Sequence, residues 1–571
     1  MHVTERIRAI AIEFPGEVEY VAHRIPASPA TPAFFGGKMN LRQTHEYSKS
    51  LRRAQLTIIV ANMLATVGFA VDPQSEGSTK LITVTVDRGR DEGQCFGSLF
   101  EVTSRDGSVV VGAGFQNLYN TRYRADRHSL QFYIRPTSGQ RSHTTENLPR
   151  PNDLCGTYLY GRDDVVRSTF GGVKAWHKQT GQWESEASHG GTNETMRVGD
   201  GVLSFGGSEV KYNGRTVLSR PHEGSYQLFF YANGHLCFYH VNRGDDGYRP
   251  YENDSDGFSK LYACPWTIDQ PAVDLSGATV LTLPIVGETT FAWGQLGDQI
   301  VTGSNIGGFY VFEKGSWQML LAPNLGVSYQ LYSTMMFHDR LLMGQYPSGR
   351  VFQYDGSQIN DMPGWPPVLD GVSASAREAQ TTVVYGGDVF VGVWPWGELW
   401  RYNPDSRKWA FTQRMFDHPT LSNRITHPYD VENNGGDVGN QWGQRVTSLV
   451  PGGASLFVST SAKWPAEWDA DKFAFLAPKK WKSYGSVYRL TMPGHLSATT
   501  KWTDGPTTFE FFTHDNEISI SQDGKRIAAT SVTGSLTKHL HDTAGLADVH
   551  WGRGIYGPFG GDTIKGDTRQ E

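Results

Sequence analysis

The sequence predicts an all-β fold of the β-propeller class, on three observations. The first is a short pattern that recurs. Gly344-Gln-Tyr-Pro-Ser-Gly349-Arg-Val-Phe-Gln-Tyr354 and Gly392-Val-Trp-Pro-Trp-Gly397-Glu-Leu-Trp-Arg-Tyr402 match position for position. Each is an apolar run, a turn bracketed by glycines, and a second apolar run ending in Tyr. Gly303-Ser-Asn-Ile-Gly-Gly308-Phe-Tyr-Val-Phe312 is a third copy, and Ser168-Thr-Phe-Gly-Gly172-Val-Lys-Ala-Trp176, followed by Trp183, a looser fourth. The second observation is the spacing. Gly303 and Gly344 are 41 residues apart, Gly344 and Gly392 are 48, and short strands repeating every 40–50 residues are the propeller signature. The third is composition: 65 glycines for turns, with 12% aromatic residues for strands.

The inner strand of each blade is expected at Cys95–Val102, Leu154–Tyr160, Met196–Phe205, Tyr226–Tyr231, Thr290–Leu296, Tyr329–Phe337, Gln380–Tyr385 and Val446–Leu449. Asp106-Gly107, Asp200-Gly201, Asn213-Gly214, Asn233-Gly234, Asp355-Gly356 and Gly386-Gly387 punctuate them as turns. That gives seven or eight four-stranded blades. The Met196 unit is short and reads as part of a neighbour, so seven is preferred.

The propeller is placed at residues 78–505. Ahead of it, 1–38 has no periodicity and reads as disordered or as a misassigned N-terminal extension. Residues 39–70 join a basic stretch (Arg42, Lys49, Arg52, Arg53) to the 15-residue apolar run Leu56–Ala70. This is the make-up of a signal peptide, with Gly68 and Ala70 as the small residues of a cleavage site; an uncleaved membrane anchor is the alternative. Either makes the chain exported, secreted or periplasmic. Residues 506–571 form a short β-rich C-terminal segment outside the repeat. Ile518–Ala529 and Gly552–Gly560 suggest a jelly-roll fragment, against the alternative that a terminal strand completes the first blade and removes a sheet edge.

Charge excludes some partners. Only 19% of residues are charged, the formal net charge is −6, and no Lys/Arg block stands out, so no nucleic-acid partner is expected. The four cysteines (Cys95, Cys155, Cys237, Cys264) have no zinc spacing. They read as buried thiols or as pairs closed in an oxidising compartment. Glu252-Asn-Asp-Ser-Asp-Gly257 imitates the start of a calcium loop, but Ala263 stands where the loop needs a bidentate Glu. No cofactor is expected beyond a structural calcium there; the plainer reading is a solvated acidic turn.

Propeller geometry turns the repeat into a site expectation. Inner strands begin at one face, and the turns between second and third strands return to it. Those segments carry Asn117, Tyr123 and His128, then Tyr346 and Arg350, then Trp394 and Trp396. The leads into inner strands add Arg377, Glu378 and Gln380, and then Gln441, Trp442 and Arg445. Aromatic faces stack on sugar rings, amides pair with hydroxyls, and arginines grip carboxylate or sulfate. The expected ligand is therefore an acidic polysaccharide. Hydrolysis needs two carboxylates about 5–10 Å apart, for which Glu378 and Glu398 are the evident pair. β-Elimination needs a cation beside the uronate carboxylate and a His or Tyr for proton transfer. Arg377, Arg445, Tyr346, Tyr123 and His128 fit those catalytic roles by type, with Asn117, Arg350, Glu378, Gln380, Trp394, Trp396, Gln441 and Trp442 as binding residues. The plainer reading is that blade tryptophans pack between sheets and that Arg377–Glu378 is a structural ion pair.

The late Tyr402 and Trp409 of one blade, and the pair Trp176 and Trp183 of another, resemble the Kelch class of propeller. The double glycine of that class is missing from most blades. The His, Tyr and Arg set is similar in kind to secreted propeller polysaccharide lyases, ulvan lyases among them, without any motif that aligns residue by residue. The resemblance implies lyase chemistry on a uronate polymer. A non-catalytic glycan- or protein-binding propeller is the rival reading, and a glycoside hydrolase a third.

Overall fold

The computed structural model describes residues 80–121, 124–169, 171–186, 195–243, 256–429, 441–463, 467–471, 474–476, 479–514, 516–532, 549–551 and 564–570. The readings of 1–38 and 39–70, Tyr123, and most of the acidic 252–257 turn lie outside these residues. Among the described residues the regular structure is β apart from two short 3-10 turns, and no helix is long and apolar enough to cross a membrane.

The chain is a β-propeller. Seven antiparallel sheets succeed one another, each opening on its inner strand: Leu159–Arg162, Thr195–Val198, Ser225–Ala232, Thr290–Leu296, Gln330–Phe337, Glu378–Tyr385 and Arg445–Gly452 among the described residues. These are blades 1 to 7. Inner strands of blades 3 to 7, and of 7 and 1, pack side by side. Arg197 of blade 2 pairs with Asp163 of blade 1, and blades 2 and 3 share a core around Phe205 and Phe229. The ring is thus continuous. Blade 7 supplies three of its own strands; its outer strand is Thr144–Leu148, which precedes blade 1 and pairs with Val487–Thr491.

The bracketing glycines of the repeat are explained by how closely the blades approach. A Cβ on Gly344 would lie 2.1 Å from the Ala379 carbonyl oxygen of the next blade, and one on Gly392 would lie 2.6 Å from Val446 Cβ. Gly349 and Gly397 have φ of 69° and 64°, where a Cβ is strained.

Two expectations are corrected. Cys95–Val102 opens no blade, and the short Met196 unit is a complete one, with strands from Thr195 to Leu218. Described strands within 80–136 and 495–570 instead build two five-stranded sheets over one core that includes Phe100, Phe132, Phe509 and Phe511. The propeller therefore begins at Thr144 rather than 78. The C-terminal segment is half of a two-sheet sandwich whose other half comes from before blade 1. Its strands alternate apolar and polar residues just as blade strands do, so periodicity cannot separate the two. All four cysteines are free thiols, three of them buried.

The sandwich sits on the propeller face where the inner strands end. Arg135 is buried between Glu101 and Asp405, Tyr133 Oη donates to Glu101 at 2.7 Å, and His338 Nε2 stands 3.0 Å from the same carboxylate. Between two sandwich strands, residues 116–121 and 124–128 enter the central channel as a finger. Leu118–Asn120 pairs with the inner strand of blade 5, and the chain turns back so that the Ala125 N–H meets the Leu118 carbonyl at 3.2 Å. Inner strands of blades 3 to 7 each carry a register shift, and a bulge takes a residue out of the ladder. The finger uses two carbonyls released in this way. The Thr121 N–H donates to Tyr332 O at 3.0 Å, and Asn120 Nδ2 to Gln380 O at 2.6 Å.

Asn120→Ala strips the buried Gln380 carbonyl of this donor and is expected to cost about 1–3 kcal/mol, read as a lower urea midpoint at unchanged slope. Two junction histidines make stability depend on pH. Burial holds His495 down to about 3 and His128 to about 4, so both are neutral in the fold but titrate near 6.5 when unfolded. Their stabilisation is complete above about pH 6.5 and falls as pH drops towards 3–4, by an amount on the order of a few kcal/mol. Urea titrations from pH 7 to 4 are expected to show this loss, with a flatter profile in His495→Gln.

Candidate binding site

The start of each inner strand faces the end of the second: Thr290 pairs with Ser304, Gln330 with Tyr346, Glu378 with Trp394 and Arg445 with Ser461. This is the face opposite the sandwich. The repeated turn latches one blade to the next. Arg377 N–H donates to Pro347 O at 2.7 Å, Gln444 N–H to Pro395 O at 2.8 Å, and Tyr329 N–H to Asn305 O at 2.8 Å. Parallel bridges Ile306–Tyr329, Ser348–Arg377 and Trp396–Gln444 mark the same junction three times. Much of what repeats in the sequence is this latch.

That assigns several expected site residues to structure. Arg377 is about 1% exposed. Its guanidinium donates to Pro366 O at 3.1 Å, Pro367 O at 2.8 Å and Glu398 Oε2 at 3.2 Å. Trp400 Nε1 donates to the same Glu398 oxygen at 2.7 Å. Burial pushes the Glu398 carboxyl up, against the pull of Arg377 and Trp400. The expected Arg377–Glu378 pair is exchanged for two others, Arg377–Glu398 and Arg445–Glu378 at 3.6 Å. Both carboxylates proposed for hydrolysis are thus buried against arginines. Trp396 is buried beneath the Arg414 guanidinium, 5.4 Å from its ring, and Trp442 packs edge-on to Trp468 and Tyr484. Trp176–Trp183 and Tyr402–Trp409 are cross-strand packing pairs, with ring centroids at 5.3 and 5.1 Å.

Three more lie away from the axial face. His128 is buried at the sandwich junction, its Nε2 3.1 Å from Asp91. Asn117 is at the base of the finger, where its Oδ1 accepts the Met336 N–H at 2.6 Å. Arg350 points towards its own blade's rim, stacked 3.7 Å over Trp365 and 3.5 Å from Asp361 on the outer strand. The sequence read the finger as a blade turn because both are aromatic and amide-rich.

What the fold does bring together is Tyr346, Glu378, Gln380, Trp394 and Arg445 on blades 5 to 7, with Gln441 half-buried on the lead into blade 7. The Tyr346 and Trp394 rings are 6.1 Å apart, and the Arg445 guanidinium lies 5.8 Å from the Trp394 ring. Gln380 occupies the blade 6 bulge, fully buried, with neither end of its amide hydrogen-bonded among the described residues. Two groups passed over in the sequence join them. His427 packs 4.6 Å from Trp394 and is held neutral by burial, its pKa lowered to about 3. Tyr332, at the blade 5 bulge, donates to Gln330 at 2.7 Å and packs 5.7 Å from Phe291. A bulge in an otherwise regular inner strand has no sequence signal.

No family model matches the chain, and no curated protein does. Similar solved structures include the computationally designed Ika8 protein (13% identity, 71% of this chain and 99% of that one, TM-score 0.32). YCF48 from Cyanidioschyzon merolae is another (11%, 61% and 98%, TM-score 0.33), as is BamB from Moraxella catarrhalis (10%, 62% and 99%, TM-score 0.30). At these scores the likenesses carry no argument about the site. The propeller assignment rests on the strand order of this chain, and the resemblance to Kelch propellers and to lyases gains no family support.

Arg377→Ala leaves Glu398 buried without its cation and is expected to cost about 3–5 kcal/mol by chemical denaturation. Replacing both partners, Arg377→Met with Glu398→Leu, is expected to restore part of that loss.

Proposed function

We propose that this protein is an exported glycan-binding propeller that takes an acidic polysaccharide on the axial face of blades 5 to 7. The observation that carries the reading is the Tyr346–Trp394 ring pair set beside the Arg445–Glu378 ion pair. Tyr346 is half-buried rather than buried. A sugar ring stacks on such a surface, while the guanidinium favours a carboxylate and the amides of Gln380 and Gln441 suit hydroxyls. Export follows from the apolar run at 56–70 with its small residues at 68 and 70.

Binding is preferred to catalysis because the acid–base set is dispersed. Arg377 and Glu398 neutralise each other, and His128 sits at the sandwich. Tyr346 and Arg445, each packed against Trp394, are the remaining basis for β-elimination, which makes uronate lyase chemistry the second reading.

Calorimetry of the purified chain over a panel of uronic-acid and neutral polysaccharides tests both. Binding to an acidic polymer that weakens about tenfold or more in Tyr346→Ala or Gln380→Leu supports the site, in line with loss of a stacked ring or a buried polar contact. Retained affinity in both variants removes it. Growth of unsaturated-uronate ultraviolet absorbance that is lost in Tyr346→Phe would convert the binder into a lyase.

A further inference from the structure

We propose a second binding site inside the channel, between the finger and blades 1 to 5, for a small molecule bearing a carboxylate or phosphate. The cavity there has a volume of about 60 Å³, several times the roughly 10–15 Å³ that one water needs on this measure. Part of its wall is aromatic. Phe230 and Trp293, stacked at 6.3 Å and 12°, both line it. The rest is cationic, with Arg124, Arg127, Arg162 and Arg197 in the lining.

Three of these arginines are committed to the protein. Arg127 holds Asp91, Arg197 holds both Asp126 and Asp163, and Arg124 holds the Phe229 carbonyl. Arg162 differs. Its side chain is about 12% exposed, and the closest carboxylate, Asp163, stands 3.8 Å from Nε and is already engaged by Arg197. The Arg162 guanidinium donates no hydrogen bond within the described residues, so its two-pronged edge is available in a largely desolvated setting. The lining carries these four guanidiniums and one carboxylate, Asp126, while Asp91 and Asp163 pair with it from outside. Trp293, which also lines the cavity, is fully buried, and its Nε1 has no acceptor among the described residues. Leaving such groups unfilled is costly. An oxyanion satisfies the Arg162 fork bidentately, and a hydroxyl or further oxygen of the same ligand takes the Trp293 N–H while its carbon skeleton lies against the aromatic wall. This site shares no residue with the axial one and does not depend on it.

The test is calorimetry and thermal unfolding of the full chain with D-glucuronate, inorganic phosphate and glucose in turn. Binding of glucuronate or phosphate with a raised Tm, and none by glucose, is expected; whichever anion binds tighter assigns a carboxylate or a phosphate ligand. Arg162→Gln should weaken that binding about tenfold or more, the loss of one charge-assisted contact. Trp293→Phe keeps the ring, removes the donor, and should weaken it several-fold; it decides the matter if Arg162→Gln does not fold. Failure of both anions to bind folded wild type overturns the proposal. So does equal binding of glucose, or affinity unchanged in the folded variants.

Discussion

A ring of sheets must be closed, and the way this one closes dictates most of the molecule. Thr144–Leu148 lies upstream of blade 1 yet forms the outer edge of blade 7, with five residue pairs to Val487–Thr491. Four of its five side chains are exposed, so backbone pairing rather than core packing makes the seam. Because the closing strand comes first, the chain must pass the blade 7 rim before starting the ring and return there on finishing it. Its two flanks therefore meet. Lys80–Asp87 pairs with Pro506–His514, and Ser129–Pro136 with His495–Thr499, so the sandwich closes the seam a second time. The finger follows from this arrangement, since the connection between two sandwich strands lies over the mouth of the channel.

The ring was legible in the sequence; of the sandwich, only the C-terminal part stood out, as strands outside the repeat. Seven of the eight expected inner strands overlap observed ones, because blade strands come with glycines forced by the neighbouring blade, as at Gly344 and Gly392. The eighth, Cys95–Val102, is a largely buried strand like those of the blades, with no such glycine-bracketed turn after it. Only its long-range partners, including Val549–Trp551, distinguish it from a blade strand. Finger residues such as Asn120 were hidden for the same reason. Their role is fixed by Gln380, 260 positions away.

The same logic sorts the candidate site. The latch is a backbone bond in every copy, so the glycines that bracket its turn recur and the repeat advertises them, while the side chains on it differ. Arg377, Trp396 and Gln444 occupy those positions, and all three are buried in contacts between blades. A bulge residue near the axis has no such duty. Phe291, Tyr332, Gln380 and Thr447 stand at or beside the shifts of blades 4 to 7 and share no chemistry. Ser304, Tyr346 and Trp394, which pair equivalently with the starts of the inner strands, also differ. Ring closure constrains the former set and leaves the latter to whatever the face binds. On this propeller, specificity is accordingly expected where the copies disagree, and the strongest pattern in the sequence marks the scaffold rather than the site.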